Sequence, residues 1–186
     1  MKKEFSVYEK IRGHFLLARL NVGGIFARSV VWIFRFSAEE GAAGLILNRP
    51  TGKSLETCLP EFAGTPLGSV PVFEGGPVDS ERLCFLLRFR DALSGNSTVR
   101  LGATAEEIRG AIYSPGARAY AFIGRAEWAP GQLEDEIARG TWMRARMDEK
   151  AWDAGGSADF WRRLAAKIRK PEAELMLFAP EHLEEN

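Results

Sequence analysis

Short apolar runs alternate with polar punctuation along the chain, and the runs have two different periods. "HFLLARL" (14–20) and the β-branched, aromatic "SVVWIFRF" (29–36) have the length and composition of buried strands. "SAEEG" reads as a turn and "AAGLILN" (42–48) as a partner strand, which predicts a hairpin with more than a two-residue loop. The period then changes. Leu55, Cys58, Leu59 and Phe62 share one helix face behind Ser54, a natural N-cap, and Pro60 keeps that helix short. "VPVFE" (70–74), "RLCFLLRF" (82–89) and "STVRL" (97–101) return to strand character.

Thr104 with Glu107 three residues on forms a capping box, so a helix is expected through Ile108 to Ile112, stopped by "SPG" (114–116). "ARAYAFIG" (117–124) reads as a strand, "RAEWAPG" as a loop, and "QLEDEIARG" as a helix closed by Gly140. "TWMRARM" (141–147) is expected to be extended. Beyond a cap at Ser157 or Asp159, Phe160, Trp161, Leu164, Ala165 and Ile168 line one face of a last helix, with Pro171 just past it. Strands and helices mix without strict alternation. That favours an α+β or irregular α/β sheet over a doubly wound fold.

A chain of 186 residues fits a single domain, 1–186, whose C-terminal helix and tail occupy about 157–186. An apolar fraction of 46% supplies an ordinary globular core. Lysine plus arginine equals aspartate plus glutamate, 25 each, so the long-range field of a non-specific nucleic-acid binder is lacking. Cys58 and Cys84 sit inside apolar runs and read as buried thiols. No Cys-x-x-Cys or Cys/His cluster occurs, so no metal and no cofactor is expected. No apolar run has signal-peptide or membrane-span length, which points to a soluble, cytoplasmic protein with no membrane partner.

Nucleotide-binding glycine loops, Gly-x-Ser-x-Gly and His-Glu-x-x-His are all absent, and His14 and His182 are the only histidines. What stands out are three polar punctuations: Asn48-Arg49-Pro50, Glu74-Gly75-Gly76-Pro77, and Trp128 with Gln132 and Glu136. Pro50 biases Arg49 towards an extended backbone. Gly75 and Gly76 allow close backbone approach. Gln132 and Glu136, four apart, share a helix face. The Arg49 fork suits a bidentate clamp on Glu74 or Glu136. Asn48, Arg49, Glu74, Gly75, Gly76, Trp128, Gln132 and Glu136 are therefore expected to converge, either as a lock over the sheet end or as a ligand site. Late basic residues, Arg162, Arg163, Lys167, Arg169 and Lys170, read as the solvated face of the last helix.

"GHFLLA", "SVVWIF", "GAAGLILNRP", "VFEGGPV" followed by "ER", and "FIGRAEWAPGQLEDEIARGTW" stand in an order that resembles the AlgH/YqgE family, from about Gly13 to Trp142. The resemblance implies a bacterial cytosolic protein and an α+β fold, a bent mixed β-sheet forming a pseudo-barrel with helices packed outside. It implies no particular reaction. A transcriptional-regulator label accompanies the family without a recognisable DNA-binding motif. Two departures stand out. The segment Gly124-Arg125-Ala126-Glu127-Trp128 carries two charges where small residues are expected, and histidines expected near "FSAEEG" and at the end of "RLCFLL" are missing.

Three functions follow as expectations. The first is a non-enzymatic binding or regulatory protein with a protein or small-molecule partner. The second is a metal-independent hydrolase using the arginine and carboxylate cluster. The third, nucleic-acid binding, is disfavoured by the neutral charge.

Overall fold

The structure, a computed structural model, describes residues 14–94, 97–145, 157 and 159–168. Its strands are β1 (Phe15–Ala18), β2 (Val30–Ser37), β3 (Gly41–Ile46), β4 (Pro50–Ser54), β5 (Pro71–Glu74), β6 (Val78–Arg90), β7 (Ser97–Leu101), β8 (Ala117–Trp128) and β9 (Trp142–Ala145). Its helices are α1 (Leu55–Cys58), α2 (Ala105–Ala111), α3 (Gln132–Ala138) and α4 (Phe160–Lys167). Arg169, Lys170, His182 and the C-terminal tail lie outside the described residues.

The strands build one curled mixed sheet, a half-barrel, in the order β4-β5-β8-β3-β2-β1-β9, with β6 and β7 joined to it through β8. β2 and β3 form the expected hairpin, pairing Val31 with Ile46 and Trp32 with Leu45. β8 is the joint of the fold. It runs parallel to β5 through Ala121–Ile123 and antiparallel to β3 through Ala126–Trp128, while β6 pairs along Ala117–Ile123. Among the described residues the pairs are antiparallel except β5 with β8, whose parallel pairing uses the long connection through β6, β7 and α2.

Two segments differ from expectation. "RAEW" was expected to be loop but continues β8: Ala126 and Trp128 are buried between the more exposed Arg125 and Glu127. That is period-two alternation hidden under two charges. Pro50, the end of the Asn48-Arg49-Pro50 punctuation, opens the edge strand β4, where it pairs with Phe73. A proline is tolerated there because it opens a strand at the sheet rim.

Buried side chains fall into three groups because most central strands are covered on both faces. On β1, Phe15 and Leu17 face one group while Leu16 and Ala18 face another. α4 covers the first face through Phe160, Trp161, Leu164 and Ala165, as its periodicity predicts. α3 covers the second through Leu133 and half-buried Ile137. α1 and α2 cover a third group around Val72, Leu87 and Ala121. The α2 capping box forms in full, Glu107 N–H to Thr104 Oγ1 at 3.2 Å and Thr104 N–H to Glu107 Oε2 at 2.8 Å. Ser54 does not cap α1; its hydroxyl meets Thr57 Oγ1 at 3.0 Å instead.

Candidate functional site

Asn48 follows β3 and is almost fully buried, at 2% exposure. Its Oδ1 accepts the Val30 N–H at 2.8 Å and its Nδ2 donates to the Arg28 carbonyl at 2.9 Å. One amide thus satisfies a donor and an acceptor of the segment entering β2. Arg49, half-buried, donates from Nη2 to the Ala27 carbonyl, and its own carbonyl accepts the Glu74 N–H at 2.9 Å. Among the described residues no ion pair links it to either expected acid. Glu74 is exposed and meets Arg49 through its backbone alone.

Glu136 is engaged elsewhere. Its carboxylate accepts the Trp128 indole N–H at 2.9 Å, the Trp142 indole N–H at 2.7 Å and the Gln132 amide at 2.9 Å. Gln132 in turn accepts the Ala129 N–H at 3.0 Å. Both indoles need a partner because both are buried. Their rings also flank Phe26, at 6.4 Å from Trp128 and 5.8 Å from Trp142. The eight residues therefore divide in three by what they bond. Asn48 and Arg49 hold residues 27–30, with Glu74 joined to Arg49 through its backbone N–H. Trp128, Gln132 and Glu136 form a carboxylate knot against Phe26. Gly75 and Gly76 press against β8.

That glycine contact is steric. Gly76 has φ of +148°, and a Cβ there would collide with the Arg125–Ala126 backbone. Gly124 has φ of +72°, and a Cβ there would strike the Gly76 carbonyl. Only glycine permits both the torsion and the approach. Asn48→Ala should lower stability by about 1–3 kcal/mol for each buried backbone group left without a partner, read as a lower urea midpoint at unchanged m-value.

The structure also contains a cleft outside these three groups. It has a volume of about 480 Å³ and is bordered by Phe34, Asp79, Arg82, Cys84, Leu101 and Arg125. Its charged rim is prearranged. Arg125 Nε bonds Glu127 Oε1 at 2.7 Å, its Nη1 pairs with Asp79, and Arg35 reaches the same Glu127 oxygen at 3.4 Å. The Glu127 bond, then Asp79, raises the Arg125 pKa above the ordinary guanidinium range, so this cation is fixed. Surface pairs of this kind add little stability and mainly set geometry. The two charges in Gly124-Arg125-Ala126-Glu127-Trp128 were the sequence signal for this rim.

Cys58 and Cys84 are free thiols and only half-buried. Burial pushes the Cys84 thiol above its ordinary pKa, against smaller lowering by Gly102, Arg82 and Arg125. Cys84 is therefore a poor nucleophile at neutral pH. In a Cys58→Ser background, its alkylation rate should still rise with pH where an ordinary exposed cysteine has levelled off. A profile matching a free cysteine would contradict this. Among the described residues no group of three or more His, Cys, Asp or Glu side chains is placed to hold a metal ion.

The family model described as DUF179, AlgH-like, matches residues 15–172. The chain is 38% identical over 148 residues to the UPF0301 protein azo3459 of Azoarcus sp. strain BH72, covering 73% of this chain and 77% of that protein. It is 32% identical over 152 residues to a UPF0301 protein of Burkholderia cenocepacia strain HI2424, covering 75% and 79%. The crystal structure of protein DIP2367 from Corynebacterium diphtheriae is similar with a TM-score of 0.68 and 25% identity, over 94% of this chain and 93% of that one. The solution structure of the AlgH protein from Pseudomonas aeruginosa is similar with a TM-score of 0.63 and 25% identity, over 97% and 99%.

Proposed function

The chain belongs to the AlgH-like family, which has no assigned activity, and on that premise we propose that it is a non-enzymatic binding protein whose ligand occupies the cleft beside Cys84. The observation that carries the reading is the division of polar groups between two regions. Around Glu136 and Asn48, side-chain donors and acceptors are spent on the protein's own backbone and indoles. Around the cleft, apolar walls meet a charged rim and a volume of about 480 Å³. That lies within the range of roughly 300–1,000 Å³ typical of small-molecule pockets.

A hydrolase built on the Arg49 and carboxylate cluster is the weaker reading. The Arg49 fork is turned to a carbonyl and the Glu136 oxygens to three donors, so neither is free for acid–base work. The same proposal puts the protein in the bacterial cytoplasm; among the described residues no helix is long and apolar enough to cross a membrane. A regulatory role enters only through the bound ligand or a protein partner. Net charge of zero gives no general attraction to nucleic acid.

Fragment screening by backbone-amide NMR tests this. Shift changes should gather at Phe34, Cys84, Leu101 and Gly102. Changes gathered instead at Gln132 and Glu136, or turnover of a substrate panel lost in Arg49→Ala, would overturn it.

A further inference from the structure

We propose that the cleft selects small organic anions, with Arg82 gripping a carboxylate or phosphate and the apolar wall holding a flat body. This deepens the binding proposal above and rests on it. The first support is charge. Among the described residues, two guanidiniums, Arg82 and Arg125, border the cleft against one carboxylate, Asp79. Arg125 is already held by Asp79 and Glu127. Arg82 is exposed, and among the described residues its side chain makes no ion pair and no hydrogen bond. The cleft therefore carries one uncommitted cation. Its planar fork matches the planar carboxylate and the phosphate face, which a bidentate pair recognises.

The second support is the backbone that presents Arg82. β6 pairs Val78 with Arg125 and next Leu83 with Ile123, so residues 79–82 stand opposite Gly124 alone. Asp79, a non-glycine residue, sits within that excursion at φ of +53°. Such bulges re-aim side chains, and left-handed torsions outside glycine gather where binding demands them. The excursion swings Asp79 and Arg82 to the cleft and leaves Leu83 and Phe85 on its wall. The third support is the floor. Leu45 is 1% exposed, and Phe34 and Leu101 pack half-buried against the same core, so a flat apolar group would meet carbon here, not water.

Protection of Cys84 from N-ethylmaleimide in the Cys58→Ser protein reads occupancy without activity. The probes are indole-3-acetate, its uncharged counterpart indole-3-acetamide, phenyl phosphate and inorganic phosphate. Expected are slowed alkylation by indole-3-acetate, phenyl phosphate or both, little effect of the amide and of inorganic phosphate, and loss of protection in Arg82→Ala at an unchanged urea midpoint. Which charged probe protects at lower concentration separates carboxylate from phosphate ligands. Equal protection by the amide, undiminished in Arg82→Ala, would overturn anion selection and leave the cleft as a binding site. Inorganic phosphate matching phenyl phosphate would overturn the apolar half of the inference. No protection by any probe at millimolar concentration would overturn both this inference and the binding proposal beneath it.

Discussion

Replacing Trp161 with alanine is expected to destabilise the fold by about 3–5 kcal/mol, the cost of removing a large buried aromatic side chain. Trp161 is 1% exposed on the face of α4 that meets β1. Its indole N–H donates to the Ala18 carbonyl at 2.8 Å, and the Arg28 guanidinium lies over its ring at 5.9 Å from the centroid. The neighbouring Phe160 meets Phe15 edge-on at 5.7 Å, so two adjacent aromatics fasten one helix to one strand. Trp161→Phe should cost less, because a six-membered aromatic ring remains while the pyrrole ring and its hydrogen bond are lost. Asp159→Ala should change stability by less than about 0.5 kcal/mol, since Asp159 stands at the N-cap without a side-chain capping bond. Urea melts of the three variants check the ranking.

Glu136→Ala is the second large effect. It leaves the buried Trp128 and Trp142 indoles without their acceptor, and about 1–3 kcal/mol for each of the two orphaned donors gives a loss of roughly 2–6 kcal/mol. Glu136→Gln keeps an acceptor of the same shape and should lose distinctly less. Tryptophan fluorescence during the melt reports the same event locally, because the two rings lie 5.9 Å apart across the knot. A Glu136→Ala protein as stable as wild type would mean that water replaces the carboxylate and that the knot holds nothing.

The sequence made the element types legible wherever one period dominated. The β2–β3 hairpin, the capping box of α2 and the buried face of α4 all follow from residue spacing. It was less informative where charge and period disagreed. Arg125 and Glu127 looked like loop residues, yet they are the outward positions of β8. The resemblance to the AlgH/YqgE family anticipated the bent sheet, which no local pattern contains, since curl arises from long-range pairing through β8. The polar punctuations were visible as residues, but their partners were not. Arg49 finds a carbonyl two strands back in sequence, and Glu136 finds two indoles. Neither bond has a one-dimensional signature. The cleft was least legible, because residues 79–82 reach it only through a pairing irregularity in β6.

The central claim is that the Asn48-Arg49 pair and the Trp128-Gln132-Glu136 knot bond inward as separate groups and hold the segment between β1 and β2, leaving binding to the cleft. Two double-mutant cycles in urea test it most directly, Glu136→Gln with Trp142→Phe and Arg49→Ala with Glu74→Gln. The first should show a coupling of about 0.5–3 kcal/mol, as expected of residues in contact, and the second none beyond roughly 0.3–0.5 kcal/mol. A null first cycle with a strongly coupled second would contradict the account and restore an arginine–carboxylate cluster as the organising feature.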